Sequence, residues 1–171
     1  VTALEPASGA ILWQASPHSL GYLAADKHAI YTVAQSELGE KQLCALNPHN
    51  GEVRWNFLLP DRTDVAKITR PSPLEQNRLA LTAHGELWLL DTQTGQPIWS
   101  HRLPSDTCWS PVQRMGSRLC VASSQEILVF DIQTGSTLWR NNYRCQTCPS
   151  SQPQVAVQGD QIFVGLALLN G

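Results

Sequence analysis

The feature that most constrains how this chain can fold is one motif that returns four times at nearly constant spacing. The segments TALEPASGAILW, CALNPHNGEVRW, LLDTQTGQPIW and VFDIQTGSTLW align without gaps. Their glycines, Gly9, Gly51, Gly95 and Gly135, stand 42, 44 and 40 residues apart. Four positions after each glycine comes a tryptophan: Trp13, Trp55, Trp99 and Trp139. Four positions before each stands a side chain able to accept hydrogen bonds: Glu5, Asn47, Asp91 and Asp131. A repeat of this length cannot bury its apolar face alone, so the copies must stack on one another.

Each motif reads as a hairpin. Asp or Asn at the front holds the turn by accepting bonds from backbone amides about two residues on. Glycine at its end takes the positive φ that closes the loop. The runs before the turns, residues 86–90 and 126–130, are dense in leucine, isoleucine, valine and aromatics, as in strands buried on both faces. Two further strand candidates precede the third hairpin (72–76 and 78–84) and the fourth (109–114 and 118–124), and residues 28–35 serve the second. Four short strands in one period make one blade of a propeller. No segment keeps a 3.6-residue period, so the fold class is all-β: a β-propeller of four-stranded blades.

With these residues in view, the chain resembles the quinoprotein-type repeat family, whose pattern is roughly A-x-D-x-x-T-G-x-x-x-W. Ala3, Gly9 and Trp13 fit it, as do Ala45, Asn47, Gly51 and Trp55; Asp91, Thr94, Gly95 and Trp99; and Asp131, Thr134, Gly135 and Trp139. The resemblance implies that each tryptophan docks on the next blade, with the small alanine leaving room. Leu89 and Val129 replace that alanine in the third and fourth hairpins, which implies looser or altered docking there. The family contains dehydrogenases that bind pyrroloquinoline quinone and calcium on the propeller axis. It also contains non-enzymatic scaffolds, such as the lipoprotein of the bacterial outer-membrane barrel-assembly machinery. Both branches imply an extracytoplasmic location, and fold does not choose between them.

The expected division is one propeller region over 1–171. Residues 1–18 form the second half of a blade, 19–60, 61–104 and 105–148 whole blades, and 149–171 the first half of another. These four blade equivalents fit half of an eight-bladed ring, or a small ring closed by the two halves; the first is expected, because small closed rings are uncommon. The chain opens on Val1 without a basic-then-apolar leader, which suits a mature or excised piece.

Composition narrows the function. Charged residues make up 15% of the chain, against roughly 25% in an average domain. A net charge of −2 offers no basic footprint for nucleic acid. No run approaches the ~20 apolar residues of a membrane-spanning helix.

Five cysteines cannot all pair within the chain. Cys44 and Cys120 lie in apolar segments and read as small buried hydrophobes, while Cys145 and Cys148 are candidates for a loop disulfide. One C-x-x-C without a second Cys/His pair is a poor zinc site. His18, His28, His49, His84 and His101 occur singly without metal-ligand spacing, and His49 and His84 fall in predicted turns, so solvated loop histidines are favoured over ligands. No nucleophile elbow or phosphate loop is present. Asp91 and Asp131 are accounted for as turn caps. Trp88 reads as core, and Trp109 as an inner-strand residue with a weak claim to face an axial channel.

No catalytic, cofactor-binding or metal residue is therefore assigned. The leading expectation is a non-enzymatic scaffold that binds protein partners, as an accessory part of a membrane-associated assembly. The rivals are a fragment of a quinone-dependent dehydrogenase and a sensor domain fused to another module. Arg114, Arg118 and Glu126 are too scattered to supply the quinone site that the first rival needs.

Overall fold

A computed structural model describes residues 1–15, 18–60, 65–104, 107–143, 153–159 and 161–166. Among them the strands run in up-and-down order. Strands β1 (Thr2–Leu4) and β2 (Ile11–Gln14) form a two-stranded sheet. Three four-stranded antiparallel sheets follow. The first holds β3 (His18–Ala25), β4 (Ile30–Gln35), β5 (Lys41–Leu46) and β6 (Val53–Leu58). The second holds β7 (Ser72–Leu74), β8 (Arg78–Ala83), β9 (Glu86–Asp91) and β10 (Pro97–Arg102). The third holds β11 (Gln113–Met115), β12 (Arg118–Ala122), β13 (Glu126–Asp131) and β14 (Thr137–Asn142). Strands β15 (Pro153–Gln158) and β16 (Gln161–Leu166) close the series as a second two-stranded sheet. One turn of 3₁₀ helix, Val65–Lys67, is the only helix among the described residues.

The core lies between sheets, and strand alternation sends it both ways. In β4 and β5, Tyr31, Val33, Leu43 and Ala45 face the second sheet and meet Leu79, Leu81 and Leu90. Their neighbours Ala34, Cys44 and Leu46 face the opposite way, with Val1 and Ala15 packed against them. Leu87 and Leu89 of the second sheet join Leu119, Val121, Leu128 and Phe130 of the third. Cys120, Ala122, Ile127 and Val129 pack on Val155, Val157 and Ile162. Middle strands are thus buried on both faces, which is why their sequences are apolar without a polar alternate. Each fully buried leucine contributes about 1.5–3 kcal/mol.

The outermost strands carry little of this burial. Residues of β6 and β10 alternate between exposed and half-buried, and all six residues of β14 are exposed. Of the innermost strands, β7 and β11 are three residues long, whereas β3 has eight residues and β15 six. Among the described residues the two halves, β1–β2 and β15–β16, remain separate sheets, so no pairing between them closes the ring. A small ring closed by its own halves, one of the two expected arrangements, is not what the chain forms.

Candidate functional site: the axial cleft and the blade seams

The second, third and fourth hairpins share a side-chain cap, and all four share one closing backbone bond. In the third, the Asp91 carboxylate oxygen Oδ1 accepts from the backbone N–H of Gln93 and of Thr94, both at 2.9 Å, and from the Thr94 hydroxyl at 3.1 Å. Asp131 repeats this with Gln133 and Thr134 at the same distances. Asn47 accepts from the His49 N–H at 3.0 Å. The closing glycine N–H donates back to the carbonyl of the first residue in all four hairpins, at 2.8–2.9 Å. Each of these glycines has φ between +70° and +75°. The Thr134, Gln133 and Thr134-hydroxyl donors outweigh the small effect of burial and hold the Asp131 carboxyl below its usual range.

The seam between blades is a ring set under a glycine. A Cβ built on Gly51 would lie 2.6 Å from the Trp13 ring, on Gly95 2.6 Å from Trp55, and on Gly135 2.7 Å from Trp99. The indole N–H then donates to the carbonyl one residue after the turn cap. Trp13 donates to Pro48 at 2.9 Å, Trp55 to Thr92 at 2.8 Å and Trp99 to Ile132 at 3.1 Å. Trp99 of the third hairpin docks in the same way with the longest indole bond of the three, 3.1 Å, and Leu89, opposite it across the strands, is fully buried in the same cluster. Two seam residues stand apart. Gly9 has nothing within 4 Å of a built Cβ, and Trp139 is 39% exposed.

The inner strands border an axial cleft of about 530 Å³. Its lining comprises Ala24 and Ala25, the segment 70–74 (Arg70, Pro71, Ser72, Pro73, Leu74), the segment 111–114 and Gln154. Arg114 is tied to Glu75 at 2.7 Å, and its Nε donates to the Gly116 carbonyl at 2.8 Å. Calcium requires six to eight oxygens with carboxylates among them. Among the described residues the cleft is lined by two arginines with amides and prolines and by no carboxylate, so this set does not by itself fit calcium.

The remaining sequence candidates are dispersed. Trp109 is 1% exposed in the core between the second and third sheets and does not face the axis. Trp88 is half-buried, edge-on to Phe57 at 5.1 Å. His101 is half-buried and lies edge-on to Phe130 at 4.8 Å. His28, His49 and His84 lie in turns between strands. Burial pushes the Cys44 thiol up to about 11 and the Cys120 thiol to about 12. Cys145 and Cys148 lie outside the described residues. Among the described residues no group of three His, Cys, Asp or Glu side chains converges on a metal position.

Two polar features escaped the sequence reading. Asp26 caps the β3–β4 turn, accepting from the backbone N–H of His28 at 2.7 Å and of Ala29 at 2.8 Å, and from the Tyr31 hydroxyl at 3.0 Å. Burial opposes its charge, but these donors together hold its carboxyl below the usual value. The D-x-x-A spacing before a strand was the available signal. The second is Glu126, 4% exposed, whose carboxylate lies 2.6 Å from Arg140 Nε. A cross-strand pair of this kind carries no mark in the sequence.

No curated protein sequence matches the chain significantly. Among solved structures it is similar to BamB from Moraxella catarrhalis, with TM-score 0.72 and 20% identity over 94% of this chain and 50% of that one. The computationally designed Ika8 protein matches with TM-score 0.73 and 15% identity, over 95% of this chain and 48% of that one. A europium-containing methanol dehydrogenase matches with TM-score 0.55 and 16% identity, over 75% of this chain and 26% of that one. At such identities these likenesses speak for the fold alone. The chain spans about half the length of the first two. A family model described as outer membrane protein assembly factor BamB matches residues 1–68 and again 60–170. Matched through nearly its whole length, the chain belongs to this family of PQQ-type repeat β-propellers.

Proposed function

We propose that this chain is a non-enzymatic propeller scaffold that binds protein partners through loops on one face of its ring. It acts as an accessory part of an outer-membrane-associated assembly on the extracytoplasmic side. The family match supports the assembly role at a coarse level. Among the described residues no helix is long and apolar enough to cross a membrane.

The observation that carries the non-enzymatic part is the lining of the axial cleft. The family's dehydrogenases use this region for calcium and quinone. Among the described residues its lining holds Arg70 and Arg114 with amides and prolines and no carboxylate to bind a divalent cation. The repeat carboxylates Asp91 and Asp131 are engaged as turn caps, which supports a structural role for both.

The test has two arms. Tagged protein cross-linked in membrane extracts of its source should retain components that fold or insert outer-membrane proteins. The same protein, given pyrroloquinoline quinone, calcium, an alcohol and a redox dye, should leave the dye oxidised. Sustained dye reduction that depends on quinone would overturn the scaffold reading in favour of a dehydrogenase.

A further inference from the structure

The second hairpin departs from the third and fourth at the position just before its glycine. There Thr94 and Thr134 bond to the cap carboxylate, and each hydroxyl accepts from the backbone N–H two residues on at 3.3 Å. Asn50 takes that place in the second hairpin. Its Oδ1 accepts from the Glu52 N–H at 3.2 Å, and its Nδ2 donates to Glu52 Oε2 at 2.8 Å. Asn50 is exposed, whereas Gly51 after it is buried.

Asparagine followed by glycine carries a reaction that threonine cannot. The glycine nitrogen gives its proton to hydroxide and attacks the asparagine Cγ. A new C–N bond closes a cyclic imide, the bond from Cγ to Nδ2 breaks, and the amide nitrogen leaves as ammonia. Water then opens the imide at either carbonyl, leaving aspartate or its β-linked isomer. Glycine has no Cβ to hinder the closure. Asn47 in the same hairpin lacks this route, because Pro48 after it has no backbone N–H.

The closed seam opposes each of these movements. The Gly51 N–H is committed to the Asn47 carbonyl at 2.9 Å. The Trp13 ring lies under the glycine, 2.6 Å from where a Cβ would stand, and its indole N–H holds the Pro48 carbonyl at 2.9 Å. While Trp13 is seated, the backbone at Gly51 has no room for the rotation that ring closure needs. We propose that Asn50 is a deamidation site gated by the Trp13 seam: it stays intact while the ring is docked and converts when the ring lifts. The change runs one way. Either product replaces the amide that donates to Glu52 with a carboxylate facing a carboxylate. The β-linked isomer also lengthens the main chain at the residue before the ring's seat. Conversion therefore records that the seam has opened and hinders its closing again. This reaction belongs to the chain itself and stands whether or not the propeller is a scaffold.

The test compares the purified chain with a synthetic peptide of residues 42–54, both incubated at pH 8. Trypsin releases the same peptide from the chain by cutting after Lys41 and Arg54. Chromatography with mass spectrometry then reads aspartate and its isomer at position 50. The folded chain should convert at least about tenfold more slowly than the peptide, because the seam must open first. Trp13→Ala should bring the rate toward that of the peptide while the β-sheet circular dichroism is unchanged. Urea below the unfolding transition should also speed conversion of the unaltered chain, a measurement that does not depend on the variant folding. Equal rates in chain and peptide would overturn the proposal. A peptide that fails to convert, or a rate in the chain that neither Trp13→Ala nor urea moves, would overturn it equally.

Discussion

Trp55 lies so close beneath Gly95 that a Cβ on the glycine would come within 2.6 Å of the indole. Side chain and backbone conformation both exclude alanine here, since Gly95 has φ +72°. Gly95→Ala should therefore cost about 2–4 kcal/mol, from left-handed strain together with forced repacking. Gly116 has φ +58° with nothing within 4 Å, so Gly116→Ala should cost only the strain, about 1–2 kcal/mol. Urea denaturation of the two variants separates the ring contact from the backbone term.

Asp131 gives the fourth hairpin a dependence on acid. Its folded carboxyl titrates below the ordinary value of 3.8 because the turn donors favour the charged form. Its contribution is present above that value and is lost as pH falls through the folded pKa. Asp131→Asn keeps an acceptor oxygen without the titration. Thermal melts of the two proteins between pH 5 and 2 should converge as the wild type loses this contribution.

The buried thiols behave in the opposite sense. Cys44 and Cys120 hold their protons to about 11 and 12, against an ordinary value of 9.0. Stability is full below pH 9 and declines as pH rises toward the folded values, because the unfolded chain releases these protons more easily. At pH 8 a thiol reagent followed by peptide mass spectrometry should label half-buried Cys108 readily. Cys44 and Cys120 should label only as fast as the sheets open.

Arg140 neutralises a carboxylate that is almost wholly buried, although its own side chain is half exposed. Arg140→Ala should cost about 1–2 kcal/mol, below the figure for a fully buried pair because solvent screens one partner. Adding Glu126→Gln should restore part of that loss in equilibrium unfolding, since the charge then no longer needs a counterion.

The hairpins were legible in the sequence because their chemistry is local: cap, glycine and ring lie within nine residues. Inner strands were harder to read. β3 escaped because its pairing with β4 shifts register between Ser19 and Leu23 around Gly21, which breaks the alternation. β11 proved shorter than the 109–114 run suggested, beginning only at Gln113, beyond Pro111. Leu89 in place of alanine suggested looser or altered docking, and how the leucine is accommodated beside Trp99 is defined only by packing with the neighbouring sheet. The axial lining assembles Arg70, Arg114 and Gln154 from three blades, and no local pattern announces such a meeting.

The uniform joint between blades also bears on how such a chain changes over time. Every junction presents a ring on one side and a matching hollow on the other, so a cassette of one period gained or lost by recombination meets fitting neighbours. Circumference is then governed by the angle that each joint imposes and by no particular residue. Families built in this way can alter their ring size while each blade keeps its sequence.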